Sequence, residues 1–322
     1  MSDFPQQYYI GWLTDEKKIL DSSSGGAFYA LAQTILKMGG WVYGTQFTRE
    51  KGAHVVCYND QRISRFRGSK YVKSDMNGAL IDIRERAEKG DVVLFCGTPC
   101  QCAAVRKFLG QDYPNVYVVD IICHGSPRRN VFEAYLQYLE KKHGAAVTNI
   151  NFRNKDAGWT AGNLSVTFSD GSVWKQPFHP AKNKYAKVFY SNIALMPACK
   201  VCRFNTLKRP SDLTLGDFWG YRKHPEITVN LQGTSVVLVN SSKGAHLLDE
   251  CGDIFNTMQM PRDIAIANNP PLYEHTPINP LTEHFCSAVE KYGFAVAYTL
   301  YLQVAGILLL PVRAVRRILR KK

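Results

Sequence analysis

The 322-residue chain holds nine cysteines, and none of them precedes Cys57. So few thiols in so long a chain exclude the disulfide framework of a small secreted scaffold. No apolar h-region follows the polar stretch Met1 to Gln7, so no secretory leader is read and a reducing, cytosolic setting is expected. Internal repeats and low-complexity tracts are also lacking. Acids are scarce beside bases, with 27 Asp and Glu against 40 Lys and Arg and a formal charge of +13. No nucleic-acid motif accompanies that charge, so no nucleic-acid partner is expected. What is present, 45% hydrophobic and 21% charged residues, suits a folded soluble protein with core enough for one large domain or two modest ones.

Periodicity then orders the chain. Helical spacing runs through 27–38, strand-like runs occupy 41–47 and 54–58, and an amphipathic helix is predicted at 74–90. Strand 91–96, helix 99–109, strand 115–122 and helix 127–143 follow. Such alternation predicts an α/β fold with a mixed, mostly parallel sheet flanked by helices. The later half changes character toward an α+β segment. Strands are predicted at 147–152 and 164–168, and Ser169-Asp170-Gly171 is a hairpin turn before Val173-Trp174. Helical spacing returns near 185–195, strands at 213–216 and 234–240, and a helix from about Ser242. The proline-rich run 269–280 is expected to be a linker. Three segments result: 1–110, 111–268, and 269–322, the last a linker and a terminal apolar helix.

The charge is concentrated at the end. Arg313, Arg316, Arg317, Arg320, Lys321 and Lys322 fall within the last ten residues, directly after an uncharged run at 293–312. That run nears the roughly 20 apolar residues a spanning helix needs. Thr299, Gln303 and Pro311 weaken a spanning reading. Attachment to a membrane surface at the inner face of the cell, a buried helix and a helix that forms a homo-oligomer all remain open.

Four cysteines carry the chemistry. Cys100 and Cys123 each follow an apolar run, which places them at the carboxyl ends of strands, where open α/β sheets gather ligands. Cys199 and Cys202 are spaced so that both sulfurs reach one centre. Together they suit an iron–sulfur cluster or a zinc ion, and spacing does not choose between them. Cys57, Cys96, Cys102, Cys251 and Cys286 read as packing residues. Upstream, Ser22-Ser23-Ser24-Gly25-Gly26 opens a helix, either as an anion cradle or simply as a serine-capped start. The basic loop Arg65 to Tyr71 suits an anionic cofactor or is a surface turn. With Thr98 these elements could cradle a bulky anionic group such as a flavin beside the cysteines.

Several short motifs occur in a fixed order. They are Ser23-Ser24-Gly25-Gly26, Gly97-Thr98-Pro99-Cys100-Gln101, Cys123-His124-Gly125, Phe152-Arg153-Asn154-Lys155 with Gly158-Trp159, the pair Cys199 and Cys202, and Ser211-Asp212 to Gly216-Asp217-Phe218-Trp219-Gly220. In this order, over about residues 11–265, the chain resembles the beta subunits of coenzyme F420 hydrogenase/dehydrogenase. The resemblance implies a flavin, FAD or FMN, and a 4Fe–4S cluster with Cys100, Cys123, Cys199 and Cys202 as ligands. It implies Ser23, Ser24, Gly25, Gly26, Lys70, Tyr71, Thr98, Pro99 and Gln101 around the flavin. Arg153 and Lys155 become candidates for stabilising a reduced flavin, or for plain salt bridges. His124 becomes a candidate donor to the cofactor or a turn cap.

The implied activity is that of an oxidoreductase coupling hydride transfer to one-electron steps, with coenzyme F420 as a possible substrate. The cysteine-dense ferredoxin-like segment of many relatives is missing, so a separate ferredoxin or partner subunit is expected to exchange electrons. In that respect the chain is similar to short bacterial members associated with polysaccharide biosynthesis, for which a glycan-pathway substrate is the expectation. A zinc- or cluster-stapled scaffold is the competing reading.

Overall fold

The computed structural model describes residues 4–304. In chain order the elements are β1 (Gln7–Leu13), α1 (Glu16–Leu20), α2 (Ala27–Lys37), β2 (Trp41–Thr48), β3 (Gly52–Tyr58), α3 (Ala79–Glu88), β4 (Val93–Gly97), α4 (Pro99–Leu109), β5 (Val116–Ile121) and α5 (Arg129–His143). They continue with β6 (Val147–Asn154), β7 (Asn163–Phe168), β8 (Val173–Pro177), α6 (Lys184–Tyr190), β9 (Leu213–Asp217), β10 (Ser235–Val239), α7 (Ser242–Asp249), β11 (Phe255–Gln259), α8 (Arg262–Ile266) and α9 (Thr282–Tyr298).

Eight strands form one mixed sheet in the order β11-β1-β10-β9-β5-β4-β2-β3, and β6-β7-β8 form a small antiparallel sheet. The fold is α/β with helices on both faces of the large sheet. Parallel pairing is confined to its heart, β2, β4, β5 and β9. The alternating direction of side chains along a strand explains the continuous apolar runs there. Val93, Phe95, Val116 and Val118 pack with Ile83 of α3 and Val105 of α4. Leu94, Tyr117 and Val119 point the other way, to Leu31 and Ile35 of α2 and Leu247 of α7.

The sequence reading misses β1 and β11. Both are defined by distant partners: Ile10 of β1 lies opposite Val236 on one side and Met258 on the other. The small sheet shares a separate aromatic core with α5, α6 and α9, built on Phe132, Tyr135, Phe152, Tyr185, Phe285 and Phe294.

The expected linker at 269–280 is instead a strap packed on the body. Leu272 is fully buried. Prolines supply few N–H groups, so side chains tie the strap down. Asn269 Nδ2 donates to Asp217 O at 3.0 Å, Thr276 Oγ1 donates to His124 O, and Asn279 Nδ2 donates to Ser191 O at 2.8 Å. From the body, Asn192 Nδ2 donates to Pro277 O at 3.0 Å. Helix α9 packs on α5 and kinks at Gly293, where φ is 79°. Of the apolar run 293–312, Phe294, Ala297, Tyr298 and Leu302 are buried in the body, and everything after Val304 lies outside the described residues. Among the described residues no helix is long and apolar enough to cross a membrane.

Candidate functional site

A cavity of about 510 Å³ opens at the carboxyl ends of β4, β5 and β9, where the parallel strands deliver Gly97 and Thr98, then Ile122 and Cys123, then Gly216 and Asp217. Its size falls in the range of cofactor sites. The remaining wall comes from the serine–glycine loop, the basic loop at 65–71, Phe189 and Tyr190 of α6, Trp219, and the start of the strap.

The serine–glycine loop is folded by its own polar groups. Gly26, not a serine, occupies the cap of α2, with φ 90° and no side-chain cap, so the expected serine cap does not form. The serines are used elsewhere. Ser24 Oγ donates to Thr234 O at 2.8 Å, and Ser23 Oγ accepts from Ser69 N at 2.8 Å. Gly25 lies between β1 and β10, where a Cβ would stand 2.3 Å from Gly11 O and 2.7 Å from Ser235 N. Ser23, Ser24 and Gly26 border the cavity and Gly25 sits behind it. With Gly26 as cap, the N–H groups of Ala27, Phe28 and Tyr29 have no carbonyl partner inside the helix, and these residues line the cavity.

The two lysines of the expected site behave differently from a ligand-facing cation. Lys155 is buried outside the cavity wall, and Nζ donates to Ser24 O at 2.7 Å and Ile19 O at 2.8 Å. Burial, helped by the Arg153 charge, pushes its pKa down to about 7. A neutral amine keeps two N–H groups, which matches its two carbonyl acceptors. The expected catalytic role for Lys155 is therefore replaced by a structural one. Lys70 does line the cavity, but Nζ donates to Phe66 O at 2.8 Å and Arg67 O at 3.0 Å, clamping the basic loop. Its burial also lowers the pKa to about 7.

Arg153 is the fixed cation of the wall. Nη2 donates to Asp217 Oδ1 and Nη1 to Asp217 Oδ2, at 3.0 and 3.1 Å. Nη2 also donates to Ser23 O, and Nη1 to the Tyr71 hydroxyl. Burial works against its charge, but the Asp217 carboxylate and Tyr71 outweigh it and hold the pKa above the ordinary value. Trp159 Nε1 donates to the same Asp217 oxygen, Oδ1, at 2.9 Å, and its ring stacks on Trp219 with centroids 5.6 Å apart. Asp217 thus joins the strand end, the arginine and the aromatic face. No local signal in the sequence points from Asp217 to its partner 64 residues away.

Thr98 and Gln101 form a reciprocal capping box at the start of α4, and Gln101 Nε2 reaches Ser74 Oγ at 2.9 Å. Both border the cavity, while Pro99 sits behind it as the first residue of the helix. The ring of Tyr71 packs among Phe152, Phe178 and Phe189. His124 lines the cavity, with Nε2 2.7 Å from Asn192 Oδ1 and its ring on Phe189. Cys96, read as a packing residue, also lines the cavity.

The four expected ligand cysteines come from three segments that the fold brings together. Residues 126–128 run antiparallel to 194–196, with Arg128 N donating to Ala194 O and Met196 N to Ser126 O. That pairing sets Cys199 beside the Cys123 turn, where Ser126 N donates to Cys199 Sγ at 3.5 Å. The turn at Gly125 is crowded by Leu195, whose Cδ2 would lie 3.0 Å from a Cβ there, and Cys199 Cβ would be in ordinary contact at 3.6 Å. Arg209 anchors the Cys202 loop. It donates to Phe204 O and Thr206 O within the loop and forms a buried ion pair of 2.8 Å with Asp120 of β5.

Cys123 borders the cavity, and burial pushes its thiol up to about 12, with charges at Cys199, Cys100 and Cys202 adding to the rise. Burial raises Cys199 as well, with Cys100 and Cys202 contributing. Cys123 therefore lies within electrostatic reach of the other three thiols, and Cys199 within reach of Cys100 and Cys202. Cys100 is exposed, with Sγ 3.1 Å from Thr98 Oγ1. Among the described residues no three His, Cys, Asp or Glu side chains close to the geometry of a single ion. A zinc ion with bonds of about 2.3 Å would need its sulfurs within about 4 Å of each other. A cluster, being larger, holds its thiolates farther apart.

The sequence model of one family, described as the C terminus of the beta subunit of coenzyme F420 hydrogenase/dehydrogenase, matches residues 90–258. That is more than half of the 322 residues, and the chain belongs to this family of hydrogenase/dehydrogenase-type redox subunits. The matched region holds all four cysteines and Arg153; the serine–glycine loop and Lys70 precede it. Among solved structures, a chain of the xenon-derivatised F420-reducing NiFe hydrogenase complex from Methanosarcina barkeri is similar. Identity is 18% and the TM-score 0.52, over 88% of this chain and 87% of that one. At that identity the likeness is one of fold. No curated protein matches the chain.

Proposed function

We propose that this chain is a flavin- and iron–sulfur-dependent oxidoreductase subunit, with coenzyme F420 or a related carrier as its hydride partner. The observation that carries the reading is the position of Cys123. It forms part of the cavity wall and belongs at the same time to the group of four cysteines. The residues present fit both groups. Arg67 and the free N–H groups at the start of α2 suit a phosphate-bearing tail. Tyr190 and Trp219 offer aromatic surface to a planar ring system.

Cys100, Cys123, Cys199 and Cys202 would hold the cluster. When bound, a flavin supplies hydride exchange and a cluster supplies single-electron transfer. This chain's part is to orient and exclude water. Arg153 presents a permanent positive charge locked by Asp217, suited to stabilising negative charge on a reduced ring. His124, held by Asn192, orients its imidazole at the wall. Electrons pass to or from a separate ferredoxin or partner subunit.

The test is the absorption spectrum and metal content of protein purified without oxygen. Flavin bands with a broad cluster shoulder, together with iron, are expected. Colourless protein holding stoichiometric zinc would replace this reading with that of a stapled scaffold.

A further inference from the structure

We infer that Asn192 is a positioning residue that fixes His124 as the tautomer with hydrogen on Nε2. Nδ1 is thereby left as a hydrogen-bond acceptor at the cavity wall, matched to an N–H or O–H donor on the flavin. The inference rests on the reading of the cavity as a flavin site and adds to it the polarity of one contact.

Asn192 follows the end of α6, where its N–H donates to Phe189 O at 3.1 Å and its φ is 59°. Glycine is the usual choice for such a left-handed position, and asparagine tolerates it while carrying an amide. That amide is buried, and both its ends are used. Nδ2 donates to Pro277 O at 3.0 Å, and Oδ1 lies 2.7 Å from His124 Nε2. A backbone carbonyl only accepts, so the amide cannot be turned round without setting Oδ1 against Pro277 O. Oδ1 therefore faces the imidazole, and Nε2 is the nitrogen that carries hydrogen.

The rest of His124 is held as well. Thr276 Oγ1 donates to its backbone O, and its ring lies 5.2 Å from that of Phe189. Nδ1 is different. It has no hydrogen-bond partner among the described residues, and solvent reaches it. His124 borders the cavity, so the neutral ring offers its lone pair there. Arg153 and the N–H groups of α2 are donors, and the Asp217 carboxylate is spent on Arg153 and Trp159. Nδ1 supplies the complementary acceptor. A flavin carries donors of both kinds, the imide N–H of its ring and the hydroxyls of its ribityl chain.

The first test is NMR of the full chain labelled at the histidine nitrogens, with the His124 signals identified by their loss in His124→Phe. A hydrogen on Nε2 and a bare Nδ1 are expected. Asn192→Gly suits the left-handed backbone but removes the amide, and it should abolish that preference. A hydrogen on Nδ1 in the wild-type chain, in the other tautomer or in the charged ring, would overturn the proposal.

The second test is titration of the full chain with FMN, followed by flavin fluorescence. Asn192→Gly and His124→Phe should each weaken binding about fivefold to tenfold, the loss of one hydrogen bond. The double variant should bind no more weakly than either single one, because Asn192 acts through His124. Asn279→Ala unties the strap from Ser191 O and should bind FMN as the wild type does. Additive losses, or an equal loss in Asn279→Ala, would assign Asn192 to holding the strap and overturn the proposal. Thermal unfolding checks that each variant folds.

FMN methylated at the imide nitrogen separates the two donors. A loss in the wild type that is absent in Asn192→Gly places the donor on the ring, and equal binding to both chains places it on the ribityl hydroxyls. A wild-type chain that binds no FMN would end the flavin reading and the matched contact with it, while the NMR spectrum still decides the tautomer. Tight FMN binding that ignores Asn192 would end this inference alone.

Discussion

The two walls of the cavity are made of equally suggestive residues, yet they are put to opposite uses. On the serine–glycine side, Ser23, Ser24, Gly25 and Lys155 hydrogen-bond to one another's loop or to β10. On the cysteine side, Cys123 and Cys199 sit in a framework whose strength comes from other groups: the pairing of 126–128 with 194–196 and the Arg209–Asp120 ion pair. The hydrogen bonds these thiols make are few: Cys199 Sγ accepts from Ser126 N, and Cys100 Sγ lies 3.1 Å from Thr98 Oγ1. A polar side chain with its bonds satisfied internally is architecture. A cluster of nucleophilic side chains held in place by their neighbours is what remains available to a ligand.

The sharpest way to break that contrast is to exchange the effects. Cys123→Ala and Cys199→Ser should each lower iron content by more than about tenfold, as expected when a ligand of a cluster is lost. Ser24→Ala should leave iron and flavin content near wild type and cost about 1 kcal/mol of stability, the worth of one hydrogen bond. Iron assays and absorption spectra decide. Flavin lost from Ser24→Ala with iron retained in the cysteine variants would reverse the assignment of the two walls.

Next in size is Arg209→Met, which strands the Asp120 carboxylate in the core. A loss of about 3–5 kcal/mol in urea unfolding is expected, and a cost below about 1 kcal/mol would mean that the Cys202 loop is anchored some other way. Gly25→Ala comes third. The added carbon meets backbone on both sides, so a loss of about 1–3 kcal/mol is expected from overpacking, read by the same unfolding assay.

The subtlest readout is a slope, the pH dependence of Lys155. Its folded pKa is about 7, whereas an unfolded lysine titrates near about 10.4. Between these values the unfolded chain carries a proton that the folded chain lacks. Stability therefore rises with pH across that window, by at most about 1.4 kcal/mol per unit for one group, and the slope vanishes below the folded pKa. Lys70 contributes in the same direction. Thermal unfolding at pH 7 to 8.5 should show the rise, and Lys155→Met should reduce it.

Much of the architecture was legible because it is local. The runs around Val93 and Val116 alternate between two helix layers and so are apolar throughout, and the helix at Pro99–Leu109 announces itself with Thr98, Pro99 and Gln101. The placement of Cys100 and Cys123 just beyond β4 and β5 was legible in the same way, from the apolar runs before them. Illegible were the features created by distant partners. The Arg153–Asp217 pair, the burial of Lys155 under Gly233, and the strap tied by Asn269, Thr276 and Asn279 leave no periodic trace. Composition misled at 269–280, since prolines mark a segment without regular hydrogen bonding, whether free or strapped down.

Strand β1 has a consequence in time. It holds the first residues of the sheet, Gln7–Leu13, and sits between β10 and β11, at Ser235–Val239 and Phe255–Gln259. On the ribosome it must wait, unpaired, for more than two hundred residues to be made, a separation that slows folding through the cost of closing so long a loop. The serine–glycine loop follows β1 and leans on Ser235 through Gly25. One wall of the cavity therefore forms only after β10 has been made, and whatever the cavity takes up meets the chain after that point.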